Sequence, residues 1–428
     1  MSKRDCNKQI LRRQRIKKTT LVVGVDIGLE FNAVALMNKE GAVFGEYPKI
    51  YNSREGFDYF VQRVEAAKKK EGLKEVLIGM EPTGHYWRKI AFFAKDRGYQ
   101  VRFVRTTAIK HQRELDESSS AKSDIKDAFT IANITREGKY IDTVIEEGVY
   151  RQLRMLGKVR EKISRQSIRS QNTLGAVLDD YFPEIKELFH SMKTRSLWAV
   201  LERCPFPQDV LTMEGSEITE MLCKSSRRRD TAAKKAEDLV EAAKRSIGLK
   251  RVGVADRYRL RLCLQEVMRT ESVLKEITSQ MKTLLEQSPY SECLLSIPGV
   301  GVLSAALFLG ELGNPAHFRD PKQIIKYAGL DPMETDSGNR VGRKRISKKG
   351  RWLLRKTIFF MSMRVVHLCE FFKGYYQRKL ESKNIWGCDL KKKEALCAVA
   401  IKLIRVIFAL FRDKRAYHRQ APTLTMAA

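Results

Sequence analysis

The sequence predicts an α/β domain followed by two mostly helical regions. Short β-type runs alternate with amphipathic stretches from Leu21 to Val104, long helical periodicity sets in near Val149, and a glycine turn opens an apolar helix near Pro298. These shifts place boundaries at 1–20 (a basic arm), 21–148 (the α/β domain), 149–290 (a helical and coiled-coil region) and 291–428 (a mostly helical C-terminal domain).

The arm carries Lys3, Arg4, Lys8, Arg12, Arg13, Arg15, Lys17 and Lys18 with no apolar stretch before Leu21, so it reads as disordered and not as a secretory signal. Three β-type runs follow, Leu21–Asp26, Asn32–Met37 and Ala42–Tyr47, with Lys39-Glu40-Gly41 as a turn between the last two. Ser53 caps a helix to Lys70 whose Phe57, Phe60 and Val64 share a face. A strand over Glu75–Met80, a helix over Tyr86–Arg97 and a strand over Gln100–Val104 come next. Ser123 to Arg136 is helical again, with acids in its first turn. Three meandering strands and then alternating helix and strand is the order of a ribonuclease H-like domain.

From Val149 to Leu178 a long helix sets Arg151, Arg154, Lys158, Lys162, Arg165 and Arg169 on one face, with Leu156, Val159, Ile163, Leu174 and Val177 roughly opposite. The basic face is either an ordinary solvated face or a rail for nucleic acid, and its single sign favours the rail. Val200–Gln287 is also helical and includes the basic cluster Lys224, Arg227, Arg228, Arg229, Lys234 and Lys235. Leu260, Leu264, Val267, Leu274, Met281 and Leu285 approach a heptad seam, but Glu271 and Thr278 take two of its apolar positions. A coiled coil between protomers and an intramolecular helical hairpin both fit. Leu295 to Val302, with Gly299 and Gly301, is a helix-hairpin-helix-like turn whose backbone N–H groups suit a phosphate; such turns also serve close helix packing. Ala395–Phe411 is cut by Lys402 and Arg405, so it reads as a buried amphipathic helix and not as a membrane span.

Composition narrows the partner. Lys+Arg 81 against Asp+Glu 51 leaves +30, on a chain whose 43% hydrophobic and 9% aromatic content is that of a globular protein. A folded polycation of this kind suits nucleic acid, because each cation set against a phosphate releases condensed counterions. The eight cysteines are scattered with no Cys-x-x-Cys, which indicates neither a zinc module nor a disulfide framework and fits a reducing cytoplasm.

Two candidate centres stand out. Asp26 ends the first apolar strand and Glu81 another, so both emerge at strand C-terminal ends; Asp124 and Asp127, at i and i+3, share a helix side. Any one of these acids has an ordinary reading as a turn, helix-start or surface charge. Together they need a neutraliser, since unit charges ~4 Å apart repel by ~4 kcal/mol at an effective dielectric of ~20. An all-oxygen set favours Mg²⁺ or Mn²⁺, which can clamp the attacking and leaving oxygens of a phosphodiester. The second centre is Ser337-Gly338 with Arg340, Arg343, Lys344 and Lys348 beyond it; nine basic residues and no acid lie between Arg340 and Lys356. A hydroxyl in that field can attack a phosphate, although an isolated Ser-Gly is usually a turn.

In order along the chain come Val25-Asp26-Ile-Gly, Gly79-Met-Glu81-Pro-Thr-Gly-His-Tyr-Trp87, Lys122-Ser-Asp124-Ile-Lys-Asp127-Ala, Ile297-Pro-Gly-Val-Gly301, Tyr327-Ala-Gly-Leu-Asp-Pro332, Ser337-Gly338 and Ser347-Lys-Lys-Gly350. This series resembles the IS110/IS1111 family of insertion-sequence transposases, over nearly the whole span from Leu21 to Tyr417. The resemblance implies a RuvC-like domain with Asp26, Glu81, Asp124 and Asp127 as catalytic Mg²⁺ ligands, and Ser337 as a nucleophile forming a covalent phosphoserine link to DNA. It further implies donor and target DNA chosen by a structured noncoding guide RNA, homodimers assembling to a tetramer with composite active sites, and a cytoplasmic, nucleoid-associated protein with no membrane. Arg105-Thr106 departs from the Asn-Pro of many relatives, and Val200–Lys250 is more basic and irregular than theirs.

Three other readings compete. A RuvC-type junction resolvase or nuclease needs the acids alone. Asp26-Ile-Gly28 also resembles the first phosphate loop of sugar kinases and actin-like ATPases, but no second Asp-Gly phosphate strand follows. A non-enzymatic basic nucleic-acid-binding protein rests on charge alone.

Overall fold

The computed structural model describes residues 3–45, 48–82, 84–116, 124–142, 145–225, 229–333, 345–383 and 389–418. It is mixed α/β and falls into two compact units, Met1–Ile145 and Glu146–Ala428.

In the first unit the order is α1 (Lys3–Arg15), β1 (Thr20–Asp26), β2 (Phe31–Met37), β3 (Lys49–Tyr51), α2 (Arg54–Lys70), β4 (Glu75–Met80), α3 (Trp87–Asp96), β5 (Gln100–Phe103), α4 (Thr106–Asp116) and α5 (Asp124–Arg136). The sheet runs β3-β2-β1-β4-β5; β1, β2 and β3 pair antiparallel, whereas β1, β4 and β5 are parallel. Both faces are covered. Leu21, Val23, Val25, Ile78 and Met80 pack against Phe60 and Val64 of α2 and Ile90 and Ala94 of α3. On the other face Val22, Ala33, Ala35 and Leu77 meet Ala128, Ile131 and Ala132 of α5 and Ile109 of α4.

Two glycines set how close α5 comes. Gly24 and Gly79 are partners in the parallel ladder, and both face α5. A Cβ on Gly24 would lie 2.0 Å from the Ala128 carbonyl oxygen, and one on Gly79 1.9 Å from Thr135 Oγ1. The helix therefore rests on bare backbone.

Most expected elements form where the pattern places them, including α2 with Ser53 Oγ accepting from the Gly56 N–H at 3.1 Å. Three differ. The arm read as disordered contains α1, docked on residues 137–142: Arg12 donates to Asp142 at 2.8 Å and to the Tyr140 carbonyl at 2.7 Å, and Ile16 just beyond the helix is 3% exposed. Arg12 finds its partners some 130 residues away, which local composition does not report. The strand expected over Ala42–Tyr47 reduces to a single bridge from Val43 to Met37, because Gly45 (φ 70°) turns the chain and the β2 edge is paired instead by Lys49–Tyr51. Glu46 and Tyr47 lie outside the described residues, as does Ser123, the expected cap of α5. Helix α4 was not expected at all.

The second unit comprises α6 (Gly148–Tyr181), α7 (Ile185–Leu188), α8 (Arg195–Arg203), α9 (Pro207–Thr212), α10 (Gly215–Ser225), α11 (Arg229–Lys244), α12 (Val254–Glu286), α13 (Ser291–Leu295), α14 (Val302–Leu312), α15 (Pro321–Ala328), β6 (Pro332–Met333), β7 (Arg345–Ile346), α16 (Trp352–Leu368), α17 (Glu370–Leu380) and α18 (Lys392–Asp413). Helices α6 and α12 run antiparallel, joined by Arg160–Thr278, Ser167–Glu271 and Tyr181–Asp256 hydrogen bonds. The two polar interruptions of the seam, Glu271 and Thr278, thus face polar partners on α6, which is the intramolecular hairpin. One end of the pair shares a core with α7 to α11 through Leu174, Leu178, Phe206, Leu239 and Leu264. The other packs with α13 to α18 through Leu153, Met281, Phe308, Ile358 and Leu403, so 149–290 and 291–428 form one compact unit. Helix α18 is buried, and among the described residues no helix is long and apolar enough to cross a membrane.

Gly24→Ala drives a methyl group into the α5 backbone, and overpacking of this kind costs ~3 kcal/mol. Urea denaturation of the variant is expected to show that loss, with an unchanged denaturant slope.

Candidate active site

Strand alternation aims the acids. Side chains two apart share a sheet face, so Asp26 lies on the Gly24 face and Glu81 continues the Gly79 face, both toward α5. The last rung between β1 and β4 is Val25 opposite Met80, so Asp26 and Glu81 are the next residues on neighbouring parallel strands. Asp124 and Asp127 occupy the first turn of α5, where the helix dipole favours carboxylates.

All four line one cavity of about 770 Å³, together with Gly28 from the β1–β2 connection, Phe31 at the start of β2, and Thr106, Ile109, Lys110 and Arg113 from α4. Asp127 is 4% exposed and is paired with the Arg113 guanidinium. Burial, reinforced by the charges of Asp127, Asp124 and Glu81, pushes the Asp26 carboxyl up from 3.8 to about 6 against the pull of Arg113.

The expected convergence on one ion is only partly met. The donors are hard carboxylate oxygens of the kind Mg²⁺ and Mn²⁺ take, and Asp26, raised chiefly by burial, also feels the negative charges of Asp127, Asp124 and Glu81, so the chemistry fits a divalent cation. Yet among the described residues no three acidic, His or Cys groups close around a common point. In this arrangement Arg113 supplies the positive charge at Asp127 instead. Sequence reasoning missed Arg113. Its signal was the spacing of Thr106, Ile109, Lys110 and Arg113, one face of a helix that the chain had not been expected to form.

Of the second centre, Ser337, Arg340, Arg343 and Lys344 lie outside the described residues. The roots of that segment are described. Pro332 pairs with Ile346 and Met333 with Arg345; the Ser347 N–H donates to the Asp331 carbonyl at 2.8 Å and its hydroxyl to Asp331 Oδ1 at 2.5 Å. Lys348 is exposed in a left-handed turn, its N–H donating to the Gly329 carbonyl at 3.0 Å.

The basic rail is less uniform than its spacing suggested. Arg154 turns inward, donating to the carbonyls of Gly310 at 2.9 Å and Glu311 at 3.1 Å, and burial lowers its pKa. Its expected nucleic-acid contact is therefore replaced by a packing role, since those carbonyls approach it as α14 crosses α6. Lys158 and Arg165 remain exposed, but Arg165 pairs with Glu161 at 3.1 Å and lies 5.1 Å above the Trp352 ring, so an acid does interleave the stripe. Gly299 (φ 96°) packs on α16, where a Cβ would sit 2.9 Å from the Arg364 carbonyl carbon; Gly301 caps α14 with open space around it. Open space is thus left at Gly301, whereas Gly299 serves helix packing.

Residues 23–183 match the family model of the IS110-type DEDD transposases, and residues 291–377 that of the transposase IS116/IS110/IS902 family. The chain is 27% identical to the 44.8 kDa protein of insertion element IS116 from Streptomyces clavuligerus, over 95% of this chain and 98% of that protein. It is 23% identical to the 43.6 kDa protein of insertion element IS110 from Streptomyces coelicolor, over 77% and 80% of the two chains. Against the transposase for insertion sequence element IS1111A from Coxiella burnetii the identity is 25%, over 44% and 51%.

The raised Asp26 pKa fixes a sign. A carboxyl whose folded pKa exceeds its unfolded one contributes stability that is complete below 3.8 and lost as pH rises through about 6. Without divalent cations, Asp26→Asn is therefore expected to be more stable than the parent at pH 7.5, by ~1–2 kcal/mol after allowance for solvent screening. The gain should vanish near pH 4; denaturation in EDTA across that range checks it.

Proposed function

The chain belongs to the IS110 family of insertion-sequence transposases, and we propose that it excises and inserts its own element by Mg²⁺-dependent strand transfer through a covalent phosphoserine intermediate. The observation that carries the reading is the single cavity at the β1 and β4 tips into which Asp26, Glu81, Asp124 and Asp127 are gathered. We read the unit that builds it as a RuvC-like ribonuclease H fold, on the strength of its β3-β2-β1-β4-β5 order.

The four acids would hold Mg²⁺ or Mn²⁺, which supplies Lewis acidity at the scissile phosphate and balances charge in the transition state. Asp127 is the most buried of the donors and fixes the floor of the cavity; Asp26 and Glu81 are placed by adjacent strand ends. Ser337 attacks the phosphorus through Oγ as a deoxyribose oxygen leaves, the hydroxyl proton passing in the net step to that leaving oxygen, so one phosphodiester bond is exchanged for another and rejoining needs no external energy source. Arg340, Arg343 and Lys344 offset the charge that develops on the phosphoryl oxygens, and Lys348 extends that field. Lys158, Arg165 and the N-terminus of α14 at Gly301 contact nucleic-acid backbone. The further parts of this reading come from the family likeness: a structured noncoding RNA from the element's ends selects donor and target, and dimers pair into a tetramer in which the acids of one protomer meet the serine of another. Such a protein works in the cytoplasm, on nucleoid DNA.

Incubation with Mg²⁺, the cognate RNA and labelled element ends is expected to give a protein–DNA adduct that survives denaturing electrophoresis. Ser337→Ala should abolish the adduct and lower strand exchange by at least ~10³-fold. Glu81→Gln should suppress both to a similar degree. Cleavage that persists in Ser337→Ala would instead identify a metal-dependent nuclease without serine chemistry.

A further inference from the structure

Arg113 is the one α4 cation paired with the acidic set among the described contacts, and its pairing is incomplete. Its guanidinium meets Asp127, yet its Nε is buried with no hydrogen-bond partner. An unpaired buried donor is costly, so the contact with Asp127 leaves this guanidinium incompletely satisfied. Asp127, for its part, is nearly inaccessible and would be an uncompensated buried charge if Arg113 left with nothing to replace it. The same face of α4 that carries Arg113 forms a wall of the cavity, so the side chain can withdraw from Asp127 without leaving the site. One guanidinium also underbalances four carboxylates, and a divalent ion carries twice its charge.

We propose that Arg113 is a displaceable counter-cation: it holds Asp127 while the acidic set is empty and gives up that carboxylate when a divalent metal binds. This rests on the reading of Asp26, Glu81, Asp124 and Asp127 as metal ligands. The metal and the guanidinium compete for one carboxylate, so the native affinity for the ion is lowered by whatever it costs to part Arg113 from Asp127. In this arrangement the arginine already pairs with Asp127, the carboxylate for which an ion would compete.

The test is a Mn²⁺ titration of the full chain without nucleic acid, read by the electron paramagnetic resonance of free Mn²⁺, on the parent, Arg113→Gln and Asp26→Asn. Removing the competing charge is expected to tighten Mn²⁺ binding roughly tenfold in Arg113→Gln, whereas Asp26→Asn loses it. The metal-free Arg113→Gln protein should also melt below the parent and regain more in Mn²⁺ than the parent gains. Binding that is lost in Asp26→Asn but unchanged or weaker in Arg113→Gln would overturn the role of Arg113 while leaving the metal site intact. Equal background binding in all three would overturn the metal site and the inference with it. Should Arg113→Gln not fold, Arg113→Lys carries the same test: its shorter, single-headed cation holds Asp127 less well, so Mn²⁺ should bind severalfold more tightly than to the parent, and equal affinity would overturn the proposal.

Discussion

The N-terminal unit depends on the contact of α5 with bare strand backbone at Gly24 and Gly79. Each glycine is followed two residues later by an acid on the same face, Asp26 and Glu81, so one strand periodicity does two things. The missing side chains let the helix settle, and the acids beyond them meet that helix at its first turn. Move α5 outward by the width of a methyl group and Asp127 no longer faces the tips of β1 and β4. Packing and chemistry are thus specified by the same few positions, in Gly24-Val-Asp26 and Gly79-Met-Glu81.

That placement creates an electrostatic problem inside a chain of net charge +30. The global excess of cations does little for a half-buried cluster, because exposed charges more than a Debye length away are screened. Relief must come from within the cavity. The fold offers a helix N-terminus under Asp124 and Asp127 and a guanidinium against Asp127, and these still leave Asp26 with a carboxyl raised to about 6. A site that stays strained in its resting state is suited to taking up a cation, since binding then removes repulsion as well as adding attraction.

What the sequence disclosed followed from the range of the interactions involved. Strands β1, β2, β4 and β5 and helices α2, α3, α5, α6 and α12 announce themselves by period and caps, and the four acids by their position at element ends. Elements settled by distant partners were opaque. Helix α1 depends on Tyr140 and Asp142, the β2 edge takes Lys49–Tyr51 in place of the run before Gly45, and α4 presents a face recognisable only once the cavity is known. Arg154 shows the same limit in reverse. Its spacing on α6 matched its basic neighbours, but a helix more than 150 residues later offered carbonyls that turned it inward.

The second unit shows how a charged interior can fix a segment's base. Glu311 on α14 is 4% exposed and pairs with Arg351 at 3.2 Å; Arg351 also donates to the Tyr327 hydroxyl and lies over that ring, while Arg355 reaches the Ala328 carbonyl at 2.8 Å. With the Asp331–Ser347 clamp and the β6–β7 pair, these contacts tie residues 331–333 and 345–347 to α14, α15 and α16. Buried ion pairs add little net stability relative to apolar packing, but they penalise alternative registers, because any shift strands a charge. A two-rung ladder alone would be too short to hold register. The Glu311–Arg351 pair and the Asp331 clamp supply the missing specificity, so the described residues on either side of 334–344 stand on a base whose geometry is set by charge more than by strand pairing.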